Sequence, residues 1–575
     1  MRINSLKFIV VFLFLISIFS FFHKQIISYP QYKTLSEKNR IRIRSIPAPR
    51  GLIFDRHSRV LAGNKILFSV AVIPQEVKEK QFVFNLLSDV LNKSADGLLK
   101  NYKKNYIAPF APVIVADDIS RETAIKLEER SLFLPGVIVA TVPSRFYPLK
   151  EEICHVTGYL GEINSEELDK LKPYGYRIKE LIGKDGIEKV YNSYLKGERG
   201  GIQVEVDNRG REVKILGYKA PEKGNDIQLT IDSRLQEQIY DALKEYTGAA
   251  IVINPNTGEI LAMCSSPGFD PNMFIGDRDD KEINYLLNSS HRPLLNRSIQ
   301  AVYPPGSIFK TLIAAAALQE GKINTATTIV CKGEFVLGKR SFACWDKDGH
   351  GEQTVIYALK NSCNVFFYTT GLLLGVDLIY KYAEEFGLTQ LTGIDLPSES
   401  TGVVPNAEWK KQQLGQPWYA GETVNYAIGQ GYLCLTPIQV LRMICVIANG
   451  GKLVKPYLVE KIGDVRIEKS GFKEVRVDKK YLDIVKEGMA KVANTGGTGY
   501  RVMVDGLQIA GKTGTAQTSQ GKTHAWFAGF TPVDKPKIAV VVVLEHGGKG
   551  GLGAVDVARK AFLFVKENYD LEKDF

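Results

Sequence analysis

The longest unbroken apolar stretch of the chain lies at its N-terminal end. Residues 8–22 are fifteen positions without a charge, and only Ser17 and Ser20 among them are polar. Fifteen residues fall short of the ~20 needed to cross a bilayer. Leu6, Ile26, Ile27 and Tyr29 extend the apolar character, and Lys7 and Lys24 can snorkel. Residues 31–45 are polar and rich in Lys and Arg, a helix or stalk broken by Ile-Pro-Ala-Pro at 46–49. From 50 to 211 short apolar strands, such as 69–73 and 112–115, alternate with charged helical stretches such as 121–130. Residues 191–201 end in Lys-Gly-Glu-Arg-Gly-Gly, a flexible-looking segment. Then 226–231 reads as a strand, and Asp232 as the N-cap of a helix running to about Tyr246. At 248–265 two apolar runs around Pro-Asn-Thr-Gly read as a hairpin. Residues 538–545 are a β-branched run long enough for a central strand, and 554–568 form an amphipathic helix. Strands at both ends of the second half, with helices between, predict an antiparallel sheet packed by helices, an α+β fold.

The apolar N-terminal run has basic flanks, which a buried core helix at a chain terminus would seldom carry. No small-residue cleavage site follows it, so an uncleaved signal anchor over 8–28 is favoured over a removed signal peptide. Positive charge before the run assigns residues 1–7 to the cytoplasm, and the rest of the chain to the far side of the membrane. Composition changes little of this picture. Of 575 residues 45% are hydrophobic and 24% charged, which excludes a disordered chain and a polytopic membrane protein. Seven cysteines exclude a disulfide-dense scaffold. The net charge of +11 is small for this length, and no basic run reads as a nucleic-acid footprint.

Three short motifs carry candidate chemistry. A serine followed three residues later by lysine occurs at Ser193, Ser307, Ser470 and Ser519. Only Ser307 follows a tight Pro-Pro-Gly turn and precedes an apolar helix, with Lys310 one turn on. A helix dipole favours negative charge developing there, and a lysine packed among apolar groups loses its proton easily. Lys310 can then act as general base towards Ser307. The bland reading is an N-cap serine and a solvent lysine. Two further segments count against it. Lys-Asn-Ser-Cys-Asn at 360–364 offers Ser362 as a proton relay and Asn364 as a partner for a substrate amide. Gly-Lys-Thr-Gly-Thr at 511–515 reads as a strand on which Gly514 permits close approach of a ligand backbone. There Lys512 supplies charge, and Thr513 and Thr515 supply hydroxyls for a substrate carboxylate. The N–H groups of Thr515 and Ser307 would form an oxyanion hole. None of the seven histidines shares a motif with Ser307, which argues against a Ser-His-Asp triad.

Each motif alone is weak; the three in this order resemble the set of the penicillin-binding proteins and β-lactamases. Further segments make the resemblance more specific. Pro-Arg-Gly-Leu-Ile-Phe-Asp-Arg at 49–56, Arg-Phe-Tyr-Pro at 145–148, and residues 183–188 and 191–197 are similar to the N-terminal and pedestal motifs of class B penicillin-binding proteins. Thr-Gly-Ile-Asp-Leu-Pro at 392–397 and Ile-Gly-Gln-Gly at 428–431 match their catalytic domain. Gly-His-Gly at 349–351, residues 362–368 and Glu-His-Gly at 545–547 look most like the elongation type; the division type is the nearest rival. The resemblance implies a membrane anchor helix, an elongated mixed α/β pedestal over 46–214, and a transpeptidase domain over 226–570. It implies cross-linking of peptidoglycan stem peptides through a Ser307 acyl-enzyme, with inhibition by β-lactams. The pedestal would carry no chemistry. Implied partners are a SEDS-family glycosyltransferase and shape-determining membrane proteins; no nucleic acid and no organic cofactor are expected. A β-lactamase would need a deacylating base, and no Glu-x-x-Leu-Asn segment lies between Ser362 and Lys512. A β-lactam sensor and a simple carboxypeptidase share the same motifs.

Cys331, Cys344, His350 and Cys363 fall within 33 residues. Three thiolates and an imidazole suit tetrahedral zinc, which would brace the loop holding Ser362 and Asn364. A Cys331–Cys344 disulfide is the alternative, favoured outside the cytoplasm. Some elongation-type relatives look similar, with carboxylates where Cys331 and Cys344 stand here.

Overall fold

The computed structural model describes every residue except 1, 107, 110, 207–211, 277–279, 469–470, 495, 519–520, 549–550 and 575. Ser470 and Ser519, two of the four serines considered above, lie outside the described residues. The first helix, α1 (Arg2–Phe22), continues as a π-helical turn, His23–Ile27. Its apolar span Ser5–Ile27 has 23 residues, a mean hydropathy of 2.4 and no buried surface. At ~1.5 Å per residue that is about 35 Å of helix, enough for a hydrocarbon core of ~30 Å. The polar stretch that follows is helical only over Tyr29–Arg40. Ile41–Ile46 is a strand instead, because its isoleucines alternate with polar residues and it pairs antiparallel with Gly200–Val206.

The chain divides into two compact units. The first comprises Met1–Arg50, Lys65–Ser144 and Lys196–Gly224. One part of it is the antiparallel sheet of Ile41–Ile46, Gly200–Val206 and Glu212–Lys219. The glycine-rich segment leading into this sheet is thus not a free linker. A Cβ on Gly200 would lie 2.5 Å from the Lys219 carbonyl, so the glycine serves close packing. Another part packs Lys80–Leu91 and Ala95–Asn105 on the strand Val113–Ile119, around Phe84, Leu87, Leu98 and Val115.

The second unit comprises Gly51–Asn64, Arg145–Leu195 and Asn225–Phe575. Its centre is a five-stranded antiparallel sheet of β1 (Gly248–Ile253), β2 (Ile260–Ser266), β3 (Ala510–Ala516), β4 (His524–Thr531) and β5 (Ile538–Leu544). The spatial order is β2-β1-β5-β4-β3, which leaves β3 at an edge. β1 and β2 form the expected hairpin. β5 is apolar at every position because both its faces are covered. Val540, Val542 and Leu544 point into a cluster with α2 (Ser233–Leu243) and the C-terminal helix Leu552–Asn568. Ala539, Val541 and Val543 face the main core. That core also takes α3 (Lys310–Gln319), α4 (Asn364–Glu385) and α5 (Pro437–Ala448), the last buried over all 12 residues.

The N-terminal motifs have a structural role inside this unit. Asp55 accepts the N–H groups of His57 and Arg59 and the N–H and hydroxyl of Ser233 at the head of α2. Arg145 donates from Nε to Glu188 at 2.7 Å and from Nη1 to the Gly51 carbonyl at 2.7 Å, and Tyr147 adds its hydroxyl to Glu188. Both charges of the Arg145–Glu188 pair are shielded from water, so each depends on the other.

Candidate active site and cysteine cluster

Ser307 lies in a 3₁₀ turn, Gly306–Ile308, that feeds directly into α3. Gly306 is needed there on two counts. Its φ is +55°, and a Cβ would meet the Thr515 carbonyl oxygen at 2.8 Å. The turn is pressed against β3 and held from the other side, where the Gly429 carbonyl accepts the Gly306 N–H at 3.0 Å. A Cβ on Gly514 would lie 3.1 Å from the Pro305 carbonyl and 3.2 Å from Ile308, so only glycine lets β3 approach this closely. Ser307 is half-buried and makes no side-chain hydrogen bond among the described residues.

Lys310 is fully buried, and its amine is turned to the loop before α4. Nζ donates to the Ser362 carbonyl at 2.9 Å and to Asn364 Oδ1 at 2.7 Å, and lies 3.4 Å from Ser362 Oγ. The carbonyl and the amide oxygen only accept. A neutral amine therefore spends both N–H groups on them and keeps its lone pair for a hydroxyl. Burial lowers the Lys310 pKa to about 8, opposed in part by the Cys363 and Cys344 thiols. Lys512, also fully buried, donates to Ser362 Oγ at 2.9 Å and to the Thr513 carbonyl at 3.1 Å. Burial, and next the Lys310 charge, push its pKa well down. Ser362 thus bridges the two amines. It holds a left-handed φ of +51°, unusual for a residue with a Cβ, which is a local cost at a site that needs the hydroxyl in this place.

The structure brings together Ser307, Lys310, Ser362, Asn364, Lys512, Thr513, Gly514 and Thr515 on and beside one edge strand. It adds groups that no short motif announces. Thr498 accepts the Thr513 hydroxyl at 3.0 Å, and Gln430 Nε2 donates to the Thr515 carbonyl at 3.4 Å. Gln430 lay in a recognised motif without a role; Thr498 had no signal. Ser193, by contrast, sits in the short helix Asn192–Leu195, outside this constellation.

The donor atoms of Cys331, Cys344, His350 and Cys363 all lie within 4.8 Å of one another. Cys331 and Cys344 are free thiols in this structure. His350 Nδ1 is 3.5 Å from both the Cys331 and Cys344 sulfurs. A tetrahedral zinc with its usual bond lengths sets an S···N edge of about 3.5 Å, so the donor set and spacing fit the metal. His350 Nε2 is buried without a hydrogen-bond partner, its nearest carboxylate oxygen being Asp346 Oδ2 at 3.9 Å. The Cys363 thiol donates to Cys344, holding Cys344 well below the usual thiol range with help from the Asn364 and Asp346 N–H groups. The same bond pushes Cys363 up. The cluster touches the catalytic loop directly, since the Asn364 N–H donates to Cys344 Sγ at 3.4 Å.

A serine at the head of a buried helix, flanked by two buried lysines and the open edge of an antiparallel sheet, is the arrangement of penicillin-reactive serine acyl-transferases. Sequence models agree. The "Penicillin binding protein transpeptidase domain" matches residues 248–562, and the "Penicillin-binding Protein dimerisation domain" matches 45–229. The peptidoglycan D,D-transpeptidase MrdA of Acinetobacter baumannii is 35% identical, over 94% of this chain and 83% of the relative. Penicillin-binding protein 2 of Helicobacter pylori, solved in complex with MreC, superposes with a TM-score of 0.83 at 32% identity, over 92% of this chain and 100% of that one. A structure described as the coordination of polymerization and crosslinking by a peptidoglycan synthase complex gives 0.76 at 31% identity, over 99% of both chains. The chain belongs to the class B penicillin-binding proteins, on the side of penicillin-binding protein 2.

Proposed function

We propose that this protein is a peptidoglycan D,D-transpeptidase of the elongation type, acting through an acyl-enzyme on Ser307. The observation that carries the reading is the buried Lys310, whose amine is joined to Lys512 through Ser362 and whose pKa burial lowers to about 8. Lys310 takes the Ser307 proton as the hydroxyl attacks the carbonyl between the two terminal D-alanines of a stem peptide. The oxyanion rests on the Ser307 and Thr515 N–H groups. Ser362, held between the two amines, hands its proton to the departing D-alanine and regains one from the Lys310 ammonium, which returns to the neutral amine. Asn364 fixes Lys310 and meets the donor amide. Lys512, Thr513 and Thr515 hold the terminal carboxylate, and Gly514 lets the stem peptide lie along the edge of β3. An amine from a second stem then attacks the ester by the reverse route, forming the cross-link and freeing Ser307. β-Lactams enter as mimics of the donor. The test is labelling with a fluorescent penicillin. One adduct on the peptide containing Ser307, lost in Ser307→Ala, is expected; an adduct at Ser193, Ser470 or Ser519 refutes the assignment.

Residues 8–28, most of which fall in the apolar helix described above, anchor the chain once in the plasma membrane, with residues 1–7 cytoplasmic and the catalytic domain outside. The pedestal motifs within 46–214 supply no nucleophile or base. A SEDS-family glycosyltransferase and an MreC-like shape-determining protein are the partners, a reading supported by the likeness to a protein solved with MreC and to one from a peptidoglycan synthase complex. Cys331, Cys344, His350 and Cys363 hold one zinc with no open position, which leaves the acyl chemistry to Ser307. When bound, zinc supplies rigidity to the loop of Ser362 and Asn364. About one zinc per chain by elemental analysis, lost in Cys344→Ser, is expected; metal-free protein with a Cys331–Cys344 disulfide refutes it.

A further inference from the structure

Glu545 marks a motif just past β5, and the proposed chemistry gives it nothing to do. One of its oxygens, Oε1, accepts from the Tyr303 hydroxyl at 2.7 Å and from Arg297 Nε at 2.8 Å. The Arg297 side chain is 3% exposed, and its other nitrogens donate to the carbonyls of His291 and Arg292 at 2.7 and 3.2 Å. Burial raises the Glu545 pKa, but Tyr303 and Arg297 outweigh it and hold the carboxyl below its usual range. Tyr303 is also tied by its backbone, exchanging two hydrogen bonds of 2.9 Å with Leu435.

Tyr303 stands four residues before Ser307, and the two prolines between them restrict the turn. Its ring meets Trp526 edge-on at 6.0 Å. Trp526 pairs with Gly514 across β4 and β3, where an added Cβ would lie 3.0 Å from the Trp526 Cβ. One fixed residue is therefore linked to both halves of the oxyanion hole: along the chain, through Pro304 and Pro305, to the turn that presents the Ser307 N–H, and through Trp526 to the strand that presents the Thr515 N–H. We propose that Glu545 is a positioning residue for acyl transfer, setting the separation of those two N–H groups by fixing Tyr303 against Arg297. The inference rests on Ser307 as nucleophile.

The test uses the full chain with a chromogenic β-lactam in stopped flow, separating the binding constant from the acylation rate. A boronic acid, whose tetrahedral adduct occupies the oxyanion hole, is the second probe. Glu545→Gln keeps the shape and removes the charge; Tyr303→Phe removes one hydroxyl and leaves the core packed. Both should cut the acylation rate and the boronate affinity by about tenfold or more, as expected for a lost charge-assisted bond. The noncovalent binding constant should stay within about twofold, and the double variant should lose less than the sum of the two. Lower melting temperature with an unchanged acylation rate would overturn the inference, since that is all a merely structural bond would do. If Glu545→Gln does not fold, Tyr303→Phe decides alone by the same criterion. Ser307→Ala runs alongside: residual acylation there defeats the nucleophile assignment itself, whereas a silent Ser307→Ala with an unaffected Glu545→Gln defeats only the role of Glu545.

Discussion

Lowering the pH should slow the acylation of Ser307, by an amount that Lys310 sets. With its pKa lowered to about 8 by burial, the amine is a base well below the pH at which an ordinary lysine becomes one. At pH 7 about a tenth of the molecules then carry the neutral amine, against about 3 in 10,000 for a lysine at 10.5, a gain of roughly 300-fold. The acylation rate at saturating β-lactam should rise about tenfold per pH unit from pH 6 and level off above pH 8. Asn364→Asp tests the cause. It sets a carboxylate where an amide oxygen now lies 2.7 Å from Nζ. The ammonium gains a partner, the inflection moves above 8, and the rate at pH 7 falls by about tenfold or more. Lys310→Ala should show no acylation at any pH in the range. A second consequence has the same origin. The folded chain binds this proton less readily than the unfolded chain, so the ammonium destabilises the fold at every pH below about 8. The penalty, about 3 kcal/mol, fades as pH climbs from 8 towards 10.5. Measured against the inactive Lys310→Met, which leaves the Ser362 and Asn364 oxygens without this donor at every pH, the wild type should therefore gain stability as pH rises from 8 towards 10.5. A wild-type rate that is flat between pH 6 and 9, or an Asn364→Asp profile with the wild-type inflection, would refute the reasoning.

Three other outcomes follow from the same geometry. Lys512→Ala should fail differently from Lys310→Ala, weakening the binding of carboxylate-bearing ligands as well as slowing acylation; comparison with a ligand lacking that carboxylate checks it. Gly306→Ala forces a Cβ towards the Thr515 carbonyl at 2.8 Å, so acylation should drop by about a hundredfold or more, read from penicillin labelling rates on folded protein. Arg145→Ala leaves the Glu188 carboxylate buried and unpaired, which should cost about 3–5 kcal/mol in denaturant titrations while the folded fraction still labels.

The parts of this protein that local pattern could reach were legible in its sequence. The hairpin at 248–265 and the β-branched run at 538–545 each carry their signal within a window of a few residues, and both form as expected. Ser307, Lys310, Ser362, Asn364 and Lys512 each sit in a short motif with a turn or helix around it, which is why the sequence singles them out. The arrangement of those residues was less accessible. Spacing along α3 pairs Lys310 with Ser307, but nothing local shows that its N–H groups are spent on Ser362 and Asn364, some fifty positions away. Thr498, which accepts from Thr513, and Tyr303, which meets Glu545 across 242 positions, carry no local mark at all. Polar contacts of that reach are made by the fold. The strand at Ile41–Ile46 was hidden for the opposite reason: charged residues suggested a stalk, and only its partner strands make it part of a sheet.

The same reasoning explains why motifs far from the catalytic serine belong with it. Ile53, Leu61, Ile153, Val156, Ile187 and Leu195 are buried in one cluster with Ile231, Ile251 and Phe309. The residues that look like signatures in 49–56 and 145–148 are those whose buried charges need partners in that cluster: Asp55 is tied to Ser233, and Arg145 to Glu188 and Gly51. A boundary drawn at 226 on sequence grounds therefore cuts through a hydrophobic core. Separating the pieces would expose apolar side chains on both and strand the Asp55 carboxylate's partners at the head of α2. The second unit takes in three stretches of chain, and the two intervening segments, 65–144 and 196–224, belong to the first unit. Chain order and spatial order diverge here because the apolar residues of 51–64 and 145–195 complete the core on which α3 and its serine are built, and Asp55 and Arg145 find their hydrogen-bond partners only when these segments are in place.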